Sequence, residues 1–143
     1  IPVIVFALSA LISFATGTSW GTFGIMIPLV MPIATGLAQA KGLPQAAFVN
    51  ACMICIAAVV GGAVFGDHAS PISDTTILSS TGAGCPHLEH VATQMPYAVF
   101  IALCSAIGFI AGGFSENIIA AWLSFALVLV IGIVFLPKAM KSK

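Results

Sequence analysis

Apolar residues follow one another along this chain in runs far longer than a buried helix of a soluble domain needs. Uncharged apolar runs cover residues 1–40, 45–66, 91–115 and 117–137. At about 1.5 Å per helical residue, each run is long enough to cross roughly 30 Å of hydrocarbon. The pattern predicts an all-α integral membrane protein whose last two spans are residues 91–114 and 117–137.

The first run is too long for one span and is interrupted by "TGTSWGT", residues 16–22. This insert combines two glycines with four hydroxyl side chains, between apolar flanks. Residues 1–39 therefore form either a re-entrant hairpin with the insert at its tip or one crossing with an unwound middle. Both put irregular backbone at membrane depth, which is tolerated only next to protein or a water-filled cavity.

A second interruption, "GDHASPISDTT", spans residues 66–76 and divides a helix predicted over residues 45–80. Gly66 loosens the helix, and Pro71 removes a backbone donor and disfavours helix at the residue before it. "ILSS", residues 77–80, fits a short second half-helix. The glycine-containing polar stretch from Thr81 to His90 is expected to be a loop.

Composition agrees with a protein surrounded by lipid. Hydrophobic residues make up 60% of the chain and charged residues 6%, against roughly 25% charged in soluble domains. A net charge of zero argues against a nucleic-acid partner, and the lipid bilayer is the expected surrounding. Residues 1–143 read as a single transmembrane region, a fragment of a longer protein.

The positions of the lysines and cysteines add two further expectations. Three lysines near the C-terminus, against one at Lys41, predict a cytoplasmic C-terminus by the positive-inside rule. Cys52-x-x-Cys55 lies in an apolar helical segment without a nearby histidine or acid. We interpret this pair as small packing residues.

Two of the four acidic residues, Asp67 and Asp74, fall in the second interruption. An ionised carboxylate at the bilayer centre costs roughly 2.5–3.5 kcal/mol on insertion scales, so two of them need compensation. An ordinary aqueous loop is one explanation. The alternative is a site for a small hard cation, because oxygen ligands are abundant in both interruptions: Asp67, Ser70, Ser73, Asp74, Thr75 and Thr76 in the second, and Thr16, Thr18, Ser19 and Thr22 in the first.

Such a site has the minimum chemistry of ion exchange. Desolvation favours the protonated form of a carboxyl group, whereas a bound cation favours the ionised form, so proton and cation compete. His68 is a candidate proton relay or, equally, a hydrogen-bonding cap. "HLEH", residues 87–90, is interpreted as interfacial loop residues in preference to a metal site, because the histidines are only three apart with one acid between them.

Two segments resemble the NhaC-type sodium/proton antiporter family: "FATGTSWGTFGIMIPLVMPIA" (Phe14–Ala34) and "GAVFGDHASPISDTTILSSTGAGCPHLEHVATQMPYA" (Gly62–Ala98). The resemblance implies a secondary transporter built from inverted repeats, with this chain as the C-terminal repeat and a missing N-terminal half as its partner. It also implies the bacterial inner (plasma) membrane, Na⁺ and H⁺ as transported ions without a cofactor, and Na⁺ near Asp67 and Asp74. A homodimer is left open. The implied site residues are Thr16, Thr18, Ser19, Asp67, Ser70, Ser73, Asp74 and Thr75.

Sodium/proton antiport is the first functional hypothesis, with either acid exchanging its proton for Na⁺. A second hypothesis is ion-coupled antiport of an organic anion or amino acid, although the absence of arginine weakens a bidentate carboxylate clamp in this half. An intramembrane aspartyl protease is disfavoured because both acids share one segment and Val64 replaces the first glycine of a "GxGD" motif. We therefore expect a transporter and no enzyme. A purely structural membrane subunit would leave the acids without a role.

Overall fold

The structure is a computed structural model that describes residues 1–140, with side chains described up to residue 134. Within this range the chain forms six α-helices: α1 (Pro2–Thr16), α2 (Ser19–Ala40), α3 (Gln45–Ala69), α4 (Asp74–Ala83), α5 (His87–Ser115) and α6 (Ile118–Met140). Of these, α2, α3 and α5 are long and apolar enough to cross a membrane. Lys141 and Lys143, which contribute to the predicted orientation, lie outside the described residues.

The connection between α4 and α5 is shorter than the sequence pattern predicts. The expected half-helix at residues 77–80 is part of the 10-residue helix α4, and α5 begins at His87. Gly84 ends α4 in the left-handed conformation (φ 64°), and Pro86, with φ −60°, leads directly into α5. The prediction of a loop from Thr81 to His90 was therefore wrong at both ends, and the two histidines lie in the first turn of a helix.

Helices α1 and α2 form an antiparallel hairpin. Ile1 and Pro2 line the same cleft as Leu37, Ala38 and Lys41, so the start of α1 lies beside the end of α2. At the tip, Gly17 closes α1 in the left-handed conformation (φ 67°), and the side chain of Thr18 accepts a hydrogen bond from the amide of Gly21. The insert "TGTSWGT" thus supplies the end of one helix and the start of the next.

Helix α1 packs along α3 in parallel, and small residues permit the close approach. Gly62 faces the carbonyl of Phe6, and Gly66, one turn later, faces the carbonyl of Ala10. The hydroxyl of Ser13 donates to the carbonyl of Ala63 at 2.6 Å. Small residues at matched positions allow such backbone contact between membrane helices.

The core of the molecule lies where α2 and α5 cover this α1–α3 pair. Val59 is fully buried there, and the ring of Phe6 packs against that of Phe109 with centroids 5.2 Å apart. Gly108 and Gly112 form a second close contact, with Ala121 and Phe125 of α6. Both glycine pairs therefore mark close contacts between helices.

We expect Gly66→Ala to lower the stability of the protein, because a methyl group at this position would overlap the carbonyl of Ala10 and lie 2.9 Å from the Cβ of Ser13. Overpacking of this kind costs about 1–3 kcal/mol. The measurement is thermal unfolding of the purified protein in detergent. Gly36→Ala is the matched control, because open space surrounds Gly36 and alanine favours helix. Equal melting temperatures for both variants would contradict the packing account.

Candidate functional site

The two polar interruptions meet in space although they are some fifty residues apart in the sequence. The hydroxyl of Ser70 donates to the carbonyl of Phe14 at 2.8 Å. Gly17, at the hairpin tip, lies against the backbone of Ile72 and Ser73, where an added Cβ would be 2.8 Å from the carbonyl oxygen of Ile72. The tip of the hairpin is therefore seated on the break between α3 and α4.

Asp67 lies at the centre of this junction, in the last turn of α3. Its side chain is buried, with 8% of the residue surface exposed. One carboxylate oxygen accepts a 2.6 Å hydrogen bond from the hydroxyl of Ser73 in the break, and the other accepts a 3.0 Å bond from Ser19 at the start of α2. A single carboxylate thus connects both interruptions.

A third hydroxyl extends this arrangement. The hydroxyls of Ser73 and Thr75 are 2.8 Å apart. Because a serine hydroxyl carries one hydrogen and that of Ser73 is directed at Asp67, Thr75 is the donor in this pair. With an ionised carboxylate, the hydroxyl hydrogens therefore point from Thr75 to Ser73 and from Ser73 to Asp67.

Four helix ends surround the carboxylate. Helices α1 and α3 end at Thr16 and Ala69, while α2 and α4 begin at Ser19 and Asp74. Helix C-termini carry partial negative charge on unpaired carbonyls, and N-termini carry partial positive charge. The site consequently offers carbonyl oxygens to a cation and amide dipoles to a carboxylate within one junction.

Several predicted site residues make bonds other than a contact with Asp67. Asp74 is exposed in this chain and accepts a hydrogen bond from the amide of Thr75 at 2.7 Å, in the first turn of α4, where negative charge is favourable. The hydroxyls of Thr16 and Thr22 bond to carbonyls one turn earlier, those of Ile12 and Thr18. Thr18 caps α2. These residues border the junction, whereas Ser19, Asp67, Ser73 and Thr75 form its hydrogen-bonded centre.

The three histidines lie at different places around the break. His68 is exposed, and residues adjacent on a helix do not face each other, so its ring is turned away from the carboxylate of Asp67. His87 and His90 instead contact α4: Nδ1 of His87 is 3.0 Å from the hydroxyl of Ser80, and Nε2 of His90 is 3.2 Å from that of Ser79. Among the residues that the structure describes, no cluster of acidic, histidine and cysteine side chains fits a metal ion.

Among the side chains that the structure describes, no cationic group pairs with Asp67. Among the described side chains, the only ion pair joins Lys41 and Glu116, at 2.7 Å, between the α2–α3 connection and the end of α5. The sequence has no arginine, and its other lysines are residues 138, 141 and 143, at the C-terminus. Within residues 1–134, this site is a buried carboxylate that accepts hydrogen bonds from hydroxyls and has no cationic partner.

The sequence profile of the Na⁺/H⁺ antiporter family matches residues 1–114, which include both interruptions and every residue of the junction. The chain belongs to this family. Membership together with the long apolar helices indicates an integral membrane protein.

Curated relatives agree with this assignment. The chain is 48% identical to an uncharacterized protein of Haemophilus influenzae over 96% of this chain and 24% of that protein. It is 42% identical to an uncharacterized Na(+)/H(+) antiporter of the same organism, over 59% of this chain and 16% of the relative. A Malate-2H(+)/Na(+)-lactate antiporter of Bacillus subtilis is 33% identical over 74% of this chain and 21% of the relative. The chain thus spans less than a quarter of the length of these relatives, and no solved structure matches it.

Sequence reasoning missed two features of this antiporter-family chain that position the site. Ser13 lies within the apolar flank that precedes the first interruption, yet its buried hydroxyl bonds α1 to α3. Its signal was the spacing of Ser9, Ala10 and Ser13, a small-residue stripe of the same period as Gly62 and Gly66. The contact of Gly17 with the break had no signal in either segment alone, because it depends on how the hairpin docks.

Proposed function

We propose that this chain forms the ion-exchange site of a secondary transporter that exchanges Na⁺ for H⁺, with Asp67 as the exchanging carboxylate. The observation that carries the proposal is the burial of Asp67 between hydroxyls of both interruptions without a cationic side chain among the described residues. Because an uncompensated charge at this depth is costly, the carboxylate is stable when it holds either a proton or a mobile cation. A group that alternates between the two is what an exchanger requires.

The hydroxyls suit both states. A hydroxyl can accept a hydrogen bond from a protonated carboxyl group, and beside the ionised carboxylate its lone pairs can coordinate a cation. Hydroxyl, carboxylate and carbonyl oxygens are ligands that small hard cations prefer. In this proposal Na⁺ binds Asp67, Ser19, Ser73 and Thr75 together with carbonyls at the helix ends. Ser70, Asp74, Thr16 and Thr18 are further candidate ligands, and His68 remains a candidate proton relay.

Antiport of an organic anion or amino acid is the second candidate function. It is favoured by the relative whose name specifies malate and lactate together with protons and Na⁺. The site described above would then bind the coupling ion, while the organic solute would be held elsewhere in the full-length transporter. The absence of arginine from this chain is consistent with that division of roles.

We propose the following arrangement in the membrane. The α1–α2 hairpin is re-entrant and brings its polar tip, which bonds to the break, to the broken helix α3–α4 at membrane depth. This unit is one of two inverted repeats, and the other half of the transporter covers its exposed polar face. We place the transporter in the bacterial inner membrane with a cytoplasmic C-terminus, either as a monomer or as a homodimer.

Reconstitution of the full-length transporter tests the proposed function. Proteoliposomes with an imposed pH gradient and a pH-sensitive dye receive Na⁺, then K⁺, then organic acids and amino acids. Sodium/proton antiport requires that Na⁺ alone dissipates the gradient. If Na⁺ has no effect until an organic solute is added, the second candidate replaces the first. If no combination moves protons, both are rejected.

We expect Ser73→Ala to weaken Na⁺ binding. The substitution removes the 2.6 Å bond to Asp67 and the acceptor for Thr75. Because hydrogen bonds to charged groups contribute about 1.5–3 kcal/mol, the apparent KM for Na⁺ should rise roughly tenfold or more. Ser105→Ala is the matched control, since that hydroxyl bonds only within its own helix, to the carbonyl of Ile101. Equal KM values for the two variants would remove Ser73 from the site.

A further inference from the structure

The ring of His87 joins three segments around the break. Its Nε2 lies 2.6 Å from the carbonyl oxygen of Pro71, inside the break, and its Nδ1 lies 3.0 Å from the hydroxyl of Ser80 on α4. His87 itself is the first residue of α5. One side chain therefore ties the start of a long helix to both the unwound segment and the half-helix that follows it.

The break needs such a contact because it has few bonds of its own. Pro71 has no amide hydrogen, the amide of Ile72 reaches the hydroxyl of Ser70 at 3.3 Å, and the amide of Ser73 reaches the carbonyl of Ser70 at 3.4 Å. These long bonds constrain the segment weakly. The 2.6 Å contact from His87 acts two residues before Ser73, whose hydroxyl bonds to Asp67.

We propose that His87 is a positioning residue of the ion site: by donating a hydrogen bond to the carbonyl of Pro71, it fixes the break in the geometry in which Ser73 reaches Asp67. It does not touch the transported ion. The functional consequence rests on the proposed exchange at Asp67, whereas the effect on the geometry of the break does not.

The contact is compatible with both protonation states of the ring. Because a carbonyl only accepts, Nε2 carries a hydrogen in the neutral and the charged form alike. In the neutral form Nδ1 accepts from Ser80. In the charged form Nδ1 donates to Ser80, which then donates to the carbonyl of Ile77 at 2.9 Å. His87 therefore positions the break irrespective of pH, and the pH profile of transport should not depend on it.

Three substitutions at this position distinguish the contributions of the two ring nitrogens. In His87→Gln the amide nitrogen replaces Nε2 and keeps the donor to Pro71; in His87→Asn it replaces Nδ1 and keeps only the contact with Ser80; His87→Ala loses both. The control is His90→Ala, which removes the 3.2 Å contact between α5 and Ser79 of α4 and leaves the break untouched.

The test uses the full-length transporter in proteoliposomes. We expect His87→Asn and His87→Ala to raise the apparent KM for Na⁺ roughly threefold to tenfold, the effect of one neutral hydrogen bond, with kcat and the pH profile unchanged. His87→Gln and His90→Ala should remain close to the wild type. Hydrogen–deuterium exchange of amides 72–77, followed by mass spectrometry, should be faster in the Asn and Ala variants only.

The outcomes separate this proposal from the proposed function. If Asp67→Asn leaves Na⁺ exchange intact, the proposed function fails, and the hydrogen-exchange result still decides whether His87 fixes the break. The positioning role is overturned if the Gln variant is as impaired as the Ala variant, if His90→Ala has the same effect as His87→Asn, or if amide exchange in the break is the same in all variants.

Discussion

Asp67→Asn is expected to abolish sodium-driven proton movement, reducing it to the background of liposomes without protein. The amide has nearly the shape of the carboxylate and can still contact Ser19 and Ser73, but it carries no charge and exchanges no proton. Without the negative charge, the side chain neither takes up a proton nor attracts Na⁺, so the two ions no longer compete for the site. The measurement is dissipation of an imposed pH gradient by Na⁺, with protein folding checked by size-exclusion chromatography.

Asp74→Asn is the matched comparison for that variant. Asp74 is exposed in this chain and bonds to the first turn of its own helix, so its charge contributes about 0.3–1 kcal/mol to the start of α4. We expect a partial loss of transport, with a modestly raised KM for Na⁺. Complete loss of transport in Asp74→Asn together with wild-type activity in Asp67→Asn would assign the exchange to Asp74.

Gly17→Val is expected to have the second largest effect, raising the KM for Na⁺ by more than about tenfold. The residue has φ 67°, where a side chain costs roughly 1–2 kcal/mol. Its Cβ would in addition lie 2.8 Å from the carbonyl oxygen of Ile72 and 3.1 Å from the amide nitrogen of Ser73. Since these are backbone atoms, the hairpin tip must move away from the break, and Ser19 moves away from Asp67 with it.

Gly42→Val separates strain from contact in that experiment. Gly42 has a similar φ of 62°, but an added Cβ there would meet open space. Both variants carry the same backbone penalty, and only Gly17→Val disturbs the junction. The measurement is the Na⁺ dependence of proton flux for both. A similar loss in Gly42→Val would show that strain alone, and not the seating of the tip on the break, causes the defect.

The helices and their two interruptions follow directly from the sequence, because their causes are local. Apolar length predicts α2, α3 and α5, and Pro71 with its polar neighbours predicts the end of α3. Gly17 and Thr18 supply a helix end and a helix cap at the first interruption. What misled the prediction was the polarity of residues 87–90, which read as a loop and instead form the first turn of α5. A polar first turn of a helix has the composition of a loop.

The different surroundings of the two acids could not be predicted from the sequence. Asp67 and Asp74 flank the same break and have similar neighbours, so nothing local distinguishes them. The difference arises because α3 directs Asp67 toward Ser19 of a hairpin that is distant in sequence, while Asp74 lies at the opposite end of the break. The same long-range docking places His87 on Pro71. Hydrophobic periodicity describes one helix at a time, whereas these contacts depend on how three helices pack together.

The most direct test of the central claim is whether Na⁺ binding releases a proton from Asp67. Isothermal titration calorimetry of the purified full-length transporter, repeated in buffers of different ionisation enthalpy over a series of pH values, counts the protons released for each Na⁺ bound. We expect proton release in the wild type and no linked release in Asp67→Asn. Na⁺ binding without proton release at any pH, or the same release in Asp67→Asn, would contradict exchange at this carboxylate.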